Sequence, residues 1–267
     1  MRGIQANLLA MRPVTSDSAG MSFKDHFSTQ AAVYAQARPL YPAALFGALA
    51  RLAPGRALAW DCGAGNGQAA VGLAAHFAQV VATEPSAAQL AADVPHPRVT
   101  YRQSAELAAG VADGAADLVT AAQAAHWFDR PAFYVEVKRV LRPGGVVALW
   151  TYELCAITPE IDAAVLRFYR GPIGPCWPPE RRHTETGYRE FDFPFAELTF
   201  PTVAMEHDWT LPGFTGYLRT WSAVIRYAKA HGHDPVGALE AELAPLWGGG
   251  TRKINWPLSG RIGRVPV

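Results

Sequence analysis

The densest chemistry in the chain lies in Asp61-Cys62-Gly63-Ala64-Gly65-Asn66-Gly67. Glycines at alternate positions let a backbone approach a ligand where a Cβ would collide. An apolar run, Leu58 to Trp60, precedes them; alanine-rich Gln68 to Phe77 follows, with Val71, Leu73 and Phe77 among its apolar positions. That order predicts a buried strand, a glycine loop and a helix opening directly behind it, the architecture of a small-molecule cofactor site. The loop departs from a dinucleotide fingerprint, because Gln68 stands where the third glycine would fall. Asp61, two positions before Gly63, would repel a pyrophosphate and suits a ligand carrying an ammonium group.

Other candidate groups stand at the ends of later apolar runs. Glu84 closes Val80 to Thr83, and an acid after a second strand accepts ribose hydroxyls in dinucleotide folds. Gln123 and His126 follow the run Asp117 to Ala121, at the carboxyl end of a central strand, where open α/β sheets contact their ligands. His126 is the first candidate for a base; its alternative is a packing histidine that donates to a backbone carbonyl.

Positioning these groups requires regular alternation. Helices are expected over Phe23 to Gln36 and from Pro42 to Leu52, before Pro54-Gly55 turns the chain into the first strand. Val80 to Thr83, Val99 to Arg102, Asp117 to Ala121 and Val146 to Thr151 read as further strands. Ser86 or a neighbour starts one intervening helix, and Asp129 caps another with Pro131 in its first turn. Alternation of this kind implies a parallel sheet with helices on both faces. Beyond Tyr152 the rhythm changes, with helices expected over Ile161 to Tyr169, Phe214 to His231 and Pro235 to Trp247. Strands are expected over Val203 to Leu211 and Thr251 to Arg261, and Gly171 to Glu180 is too rich in proline and glycine for either.

A chain of 267 residues, 50% hydrophobic and 18% charged, has the makeup of a soluble globular protein, and its net charge of +1 gives no reason to expect nucleic acid as a partner. Cys62, Cys155 and Cys176 are widely separated, which indicates neither a disulfide framework nor zinc but reduced thiols in the cytoplasm. The apolar runs are too short to span a membrane, and His231-x-His233 lacks the companions of a metal site. Residues 1–21 lack a sustained apolar core and are expected to form an ill-ordered tail, or to precede a true start at Met11 or Met21.

Taken in order, these features resemble the class I S-adenosylmethionine-dependent methyltransferases. The resemblance rests on Asp-x-Gly-x-Gly-x-Gly after the first strand, Glu84, Ser104-Ala105-Glu106, Gln123 to Phe128 and Leu141-Arg142-Pro143-Gly144-Gly145. Within that class, Tyr34-x-x-x-Arg38-Pro39-x-Tyr41-Pro42, His126-Trp127-Phe128-Asp129, Thr220-Trp221-Ser222 and Trp256-Pro257-Leu258 are similar to the small-molecule branch that includes trans-aconitate methyltransferase. It implies a Rossmann-like, mostly parallel seven-stranded sheet in a single domain over residues 22–267, with a cap inserted at 153–200. S-adenosyl-L-methionine is the implied cofactor. Asp61, Gly63, Ala64, Gly65, Gly67 and Gln68 would meet its methionine portion, Glu84 its ribose, and Ser104, Ala105 and Glu106 its adenine, with Pro85 and Ser86 also in contact with it. Gln123, His126 and Trp127 would complete the cradle; in similar enzymes the segment with Phe27, Tyr34 and Arg38 lies over the cofactor.

The resemblance leaves the acceptor open. A carboxylate is already nucleophilic and needs mainly positioning, whereas a nitrogen, hydroxyl or thiol acceptor calls for a base, with His126 and Tyr34 as candidates. Arg167, Arg170, Arg181, Arg182, His183 and Arg189 give the second half a basic bias suited to carboxylates; Trp177, Trp209, Trp221 and Tyr227 could line an apolar pocket or simply pack. The expected partner is a small molecule, with the protein a monomer or homodimer. Competing readings are a nicotinamide-dependent oxidoreductase and a catalytically silent cofactor-binding module on the same fold.

Overall fold

Strand β1 (Leu58–Cys62) is buried on both sides, and its alternating side chains feed two different cores. Ala59 joins Leu45, Leu49 and Leu73 on one face, while Trp60 joins Val119, Phe133 and Val137 on the other. The computed structural model describes residues 38–105, 108 and 110–267. The expected tail at 1–21, the helix at Phe23 to Gln36, Phe27, Tyr34 and Glu106 lie outside the described residues.

Helix α1 (Ala43–Leu52) leads into β1. It is followed by α2 (Gln68–Ala74), β2 (Gln79–Glu84), the short α3 (Ala87–Leu90), β3 (Val99–Gln103), β4 (Ala116–Ala122), α4 (Arg130–Val140) and β5 (Leu141–Tyr152). Ser86 Oγ accepts the Gln89 amide to start α3, and Asp129 Oδ1 accepts the Ala132 amide to start α4, the hydroxyl and carboxylate caps expected at those positions.

The second half adds α5 (Pro159–Arg170), α6 (Arg182–Glu185), β6 (Ala196–Leu198), β7 (Glu206–Thr210), α7 (Leu211–Arg219), α8 (Ser222–His231), α9 (Val236–Trp247), β8 (Thr251–Asn255) and β9 (Leu258–Arg264). The main sheet runs β3-β2-β1-β4-β5-β9-β6, with β1 to β5 parallel and β9 antiparallel to both neighbours. Strand order reverses between β1 and β4, so the crevice at their carboxyl ends is the natural ligand position. The fold is thus the expected Rossmann-like α/β sheet with helices on both faces. A third core, drawing on α5, α7, α8 and α9, packs Phe168, Phe214, Trp221 and Trp247 beside it.

Four sequence expectations need correction. β5 begins at Leu141 rather than Val146, because Arg142 to Gly145 form a bulge opposite the register shift between Ala116 and Leu118. The strand expected over Val203 to Leu211 contracts to β7, since Thr210 caps α7 by accepting the Gly213 amide. The helix expected over Phe214 to His231 breaks at Thr220-Trp221, where extended Trp221 turns its indole toward Trp177 and Tyr217. The strand expected over Thr251 to Arg261 divides at Trp256-Pro257; β8 pairs with β7 in a small separate sheet, while β9 enters the main one. Proline supplies no amide at that transfer.

Among the described residues, no helix is long and apolar enough to cross a membrane.

Candidate cofactor site and adjoining cavity

β1 delivers Asp61 into the interior, 1% exposed. Thr120 Oγ1 on β4 donates to its Oδ1 at 2.7 Å, and its Oδ2 has no hydrogen-bond partner among the described residues. Burial raises its pKa to about 7, against the lowering effect of Thr120 and of the Ala70 amide in α2 and with a smaller upward push from Glu84. A buried carboxylate with an orphan oxygen costs free energy unless something pairs with it. It is therefore suited to receive a cationic donor.

The loop behind it is shaped by two glycines with different constraints. Gly63 has φ 66°, and a Cβ there would stand 2.6 Å from Ala124 Cβ, so its absence lets the β1 and β4 loops close on each other. Gly65 has φ 58°, and the nearest atom to its missing Cβ is Gln89 Oε1 at 3.9 Å, which leaves the loop surface open there. Glu84 ties the cradle together: its Oε2 accepts the Gly65 amide at 2.9 Å and its Oε1 accepts the Ser86 amide at 3.0 Å. Beside them the Ser104 amide donates to the Glu84 carbonyl, the Gln103 amide nitrogen to the Pro85 carbonyl, and the Cys62 thiol to the Ala105 carbonyl. Gln68 begins α2 immediately after Gly67, and Ala64 donates its amide to the Thr83 carbonyl.

Across the crevice, β4 ends at Ala122 and is followed by Gln123, at φ 54°, and a single 3-10 turn over Ala125–Trp127. His126 packs against Trp127 at 4.7 Å, and its Nδ1 lies 3.1 Å from the Tyr188 hydroxyl, where sequence alone had offered a backbone carbonyl as its partner. Burial, Arg181 and His183 push its pKa down to about 3, so the ring is neutral at physiological pH. Nearby, Thr151 Oγ1 donates to Gln123 Oε1 at 2.6 Å.

Gln123, His126 and Trp127 face a cavity of about 50 Å³ shared with Arg38, Tyr152, Trp177, Arg181, Tyr217 and Trp221. Arg38 donates to the Tyr152 hydroxyl at 2.7 Å and lies over the Tyr217 ring. Arg181 lies over Trp177 at 4.9 Å and donates through Nε to the Tyr169 hydroxyl at 3.2 Å; Tyr169 is itself bonded to Glu185. Of the remaining residues in the basic bias, Arg167 pairs with exposed Glu242 and His183 with Glu190, and neither lines this cavity. Trp209 packs on Trp256 and Tyr227 on His231, so neither belongs to the cavity. Thr120, Tyr188 and Tyr152 escaped sequence reasoning. Strand threonines and isolated tyrosines carry no local mark of the partners that β4, β5 and a distant turn bring to them.

A methyltransferase-domain family model matches residues 60–149, spanning β1 to β5. A Dictyostelium discoideum protein named as a methyltransferase is 35% identical over 225 residues, covering 83% of this chain and 86% of its own length. A solved structure from Anaeromyxobacter dehalogenans, described as a type II methyltransferase, is 44% identical, covers 86% of this chain and 99% of its own, and superposes with a TM-score of 0.81. A Mycobacterium tuberculosis methyltransferase without assigned substrate is 34% identical over 126 residues, or 46% of this chain and 50% of its own. The chain belongs to the class I S-adenosylmethionine-dependent methyltransferases. S-adenosylmethionine is its cofactor, and the nicotinamide alternative is set aside.

Proposed function

We propose that this enzyme methylates a small organic acid held in the cavity beside His126. The observation that carries the reading is Arg181. Its guanidinium is stacked on Trp177 and anchored by one bond to Tyr169, and its two terminal nitrogens make no hydrogen bond or ion pair among the described residues. A guanidinium so prepared offers a bidentate fork to a carboxylate. Trp177, Trp221 and Tyr217 would cover the rest of the molecule and exclude water.

On this reading the orphan Asp61 oxygen receives the ammonium of the cofactor's methionine portion, over the open surface at Gly65. Glu84 receives the ribose hydroxyls, as an acid at the end of a second strand does in dinucleotide folds, with Pro85, Ser86, Ser104 and Ala105 around the base. The cofactor supplies an electrophilic methyl group on a sulfonium centre. A carboxylate oxygen needs no proton removed before it accepts that group, and neutral His126, with its low pKa, is consistent with chemistry that depends on positioning. The trans-aconitate-like resemblance points to the same acceptor class. The near-neutral net charge and the wide spacing of the three cysteines agree with a cytoplasmic enzyme that acts on a small molecule rather than on nucleic acid.

The test is incubation with isotopically labelled cofactor and a broad mixture of small metabolites, reading which molecule acquires label. An acid should be labelled as its ester, and Arg181→Gln should raise its KM by about tenfold with the fold unchanged. Label on compounds lacking a carboxylate, or an unchanged KM, would reject the reading.

A further inference from the structure

Arg181 closes a 3-10 turn over Pro179–Arg181 at the end of a proline- and glycine-rich stretch, a weak scaffold for a side chain that must present a fork. Its support comes from Tyr169 in the last turn of α5, a residue 6% exposed whose ring meets Trp221 edge-on at 5.9 Å. The Tyr169 carbonyl accepts the Trp177 indole N–H at 3.2 Å, and its hydroxyl accepts Arg181 Nε–H, also at 3.2 Å. One residue therefore fixes both the guanidinium and the ring on which it is stacked.

The groups themselves set the polarity of this arrangement. A guanidinium can only donate and a carboxylate can only accept, so the Tyr169 hydroxyl receives the Arg181 hydrogen and gives its own to Glu185 Oε1. Burial raises the Tyr169 pKa, and the bonds add the matching signs: Glu185 raises it further, whereas Arg181 lowers it. Glu185 lies four residues beyond Arg181, at the end of α6, and is bonded to the same oxygen, yet the two form no ion pair among the described residues. A direct pair would occupy the terminal nitrogens that an anion needs. Because Nε is spent on Tyr169, an anion meets the end-on pair of terminal nitrogens and not the side-on pair that includes Nε.

We propose that Tyr169 is a positioning residue for Arg181, turning the guanidinium end-on to the cavity and holding Glu185 away from it. Without the hydroxyl, Glu185 captures the guanidinium and closes the anion site from within. The role of Tyr169 toward a carboxylate substrate rests on the reading of Arg181 as the carboxylate fork, whereas its hold on the free side chain does not.

The test uses the full chain labelled with nitrogen-15, without cofactor, and follows the Arg181 Nε–Hε signal, identified by its loss in Arg181→Gln. In the native protein that proton should exchange with water about tenfold more slowly than the one on exposed Arg170, and Tyr169→Phe should abolish the difference. Titration with acetate, read on the Trp177 indole signal, should show affinity falling about tenfold in Tyr169→Phe and recovering in Tyr169→Phe/Glu185→Gln. Equal exchange at Arg181 and Arg170 in the native protein overturns the proposal even if Tyr169→Phe fails to fold. Unchanged protection or acetate affinity in a folded Tyr169→Phe protein overturns it as well, and failure of Glu185→Gln to restore affinity overturns the role given to Glu185. Native protein that protects the Arg181 proton, loses that protection in Tyr169→Phe and takes up no acetate rejects the carboxylate reading while upholding the hold of Tyr169 on Arg181.

Discussion

Two aspartates are buried at opposite ends of the central strands, Asp61 at the carboxyl end of β1 and Asp117 at the amino end of β4. Asp117 is fully enclosed and its charge is met from within the protein: its Oδ2 accepts the Ala57 and Leu58 amides at 2.7 and 3.1 Å, and its Oδ1, though not hydrogen-bonded, is ion-paired with Arg142, whose Nε lies 3.0 Å away. Even Gly55 conforms to it, since a Cβ there would stand 2.4 Å from Oδ1. Asp61 is almost equally buried, yet among the described residues it holds one side-chain hydrogen bond, no ion pair and an oxygen without a hydrogen-bond partner. The same residue type at the same depth is therefore charge-compensated at one end of the sheet and left without a counter-charge at the other. What separates them is whether the protein itself supplies the partners, and burial alone does not reveal that.

Breaking the two sites should produce opposite patterns. Asp117→Ala leaves Arg142 and two amides without their acceptor and should cost about 3 kcal/mol in urea denaturation, with cofactor affinity of the folded protein unchanged. Weakened affinity at unchanged stability would reverse the assignment of the two ends.

A smaller effect is expected from Asp61→Asn in the cofactor-free protein, and it should depend on pH. The folded-state pKa of Asp61, about 7, lies above its ordinary 3.8, so the folded protein binds the extra proton between those values. The stability contributed by that proton is fully present below pH 3.8 and is lost as pH rises through about 7. Asp61→Asn removes this dependence, and above neutrality the variant should be at least as stable as the native protein. Thermal unfolding of both proteins across that range checks it, and parallel curves would show that Asp61 is already paired.

The contrast between the two aspartates was only half legible in the sequence. Asp61 announces itself through the glycines two, four and six positions later, and Glu84 through the end of a strand. Local spacing carries those signals because a loop and a strand end are local structures. Asp117 reads simply as the start of a strand, since its partners Ala57, Leu58 and Arg142 reach it through sheet pairing and the β5 bulge. The same holds around the cavity beside His126. His126 and Gln123 are visible at the end of a predicted strand, whereas Tyr188 arrives from a turn after α6, and Arg181 looks like any other surface cation until Trp177 and Tyr169 are packed against it. The break at Trp221 has no proline or glycine to mark it; it follows from where the indole is buried.

The most direct measurement of the central claim is calorimetric binding of S-adenosylhomocysteine, the demethylated cofactor, to native protein and Asp61→Asn on both sides of pH 7. If the orphan Asp61 oxygen takes the ligand's ammonium, native affinity rises with pH through about 7 as the carboxyl ionises. Above that pH, Asp61→Asn should bind about a hundredfold more weakly while unfolding no more readily. Equal affinity of the two folded proteins across this range would contradict it.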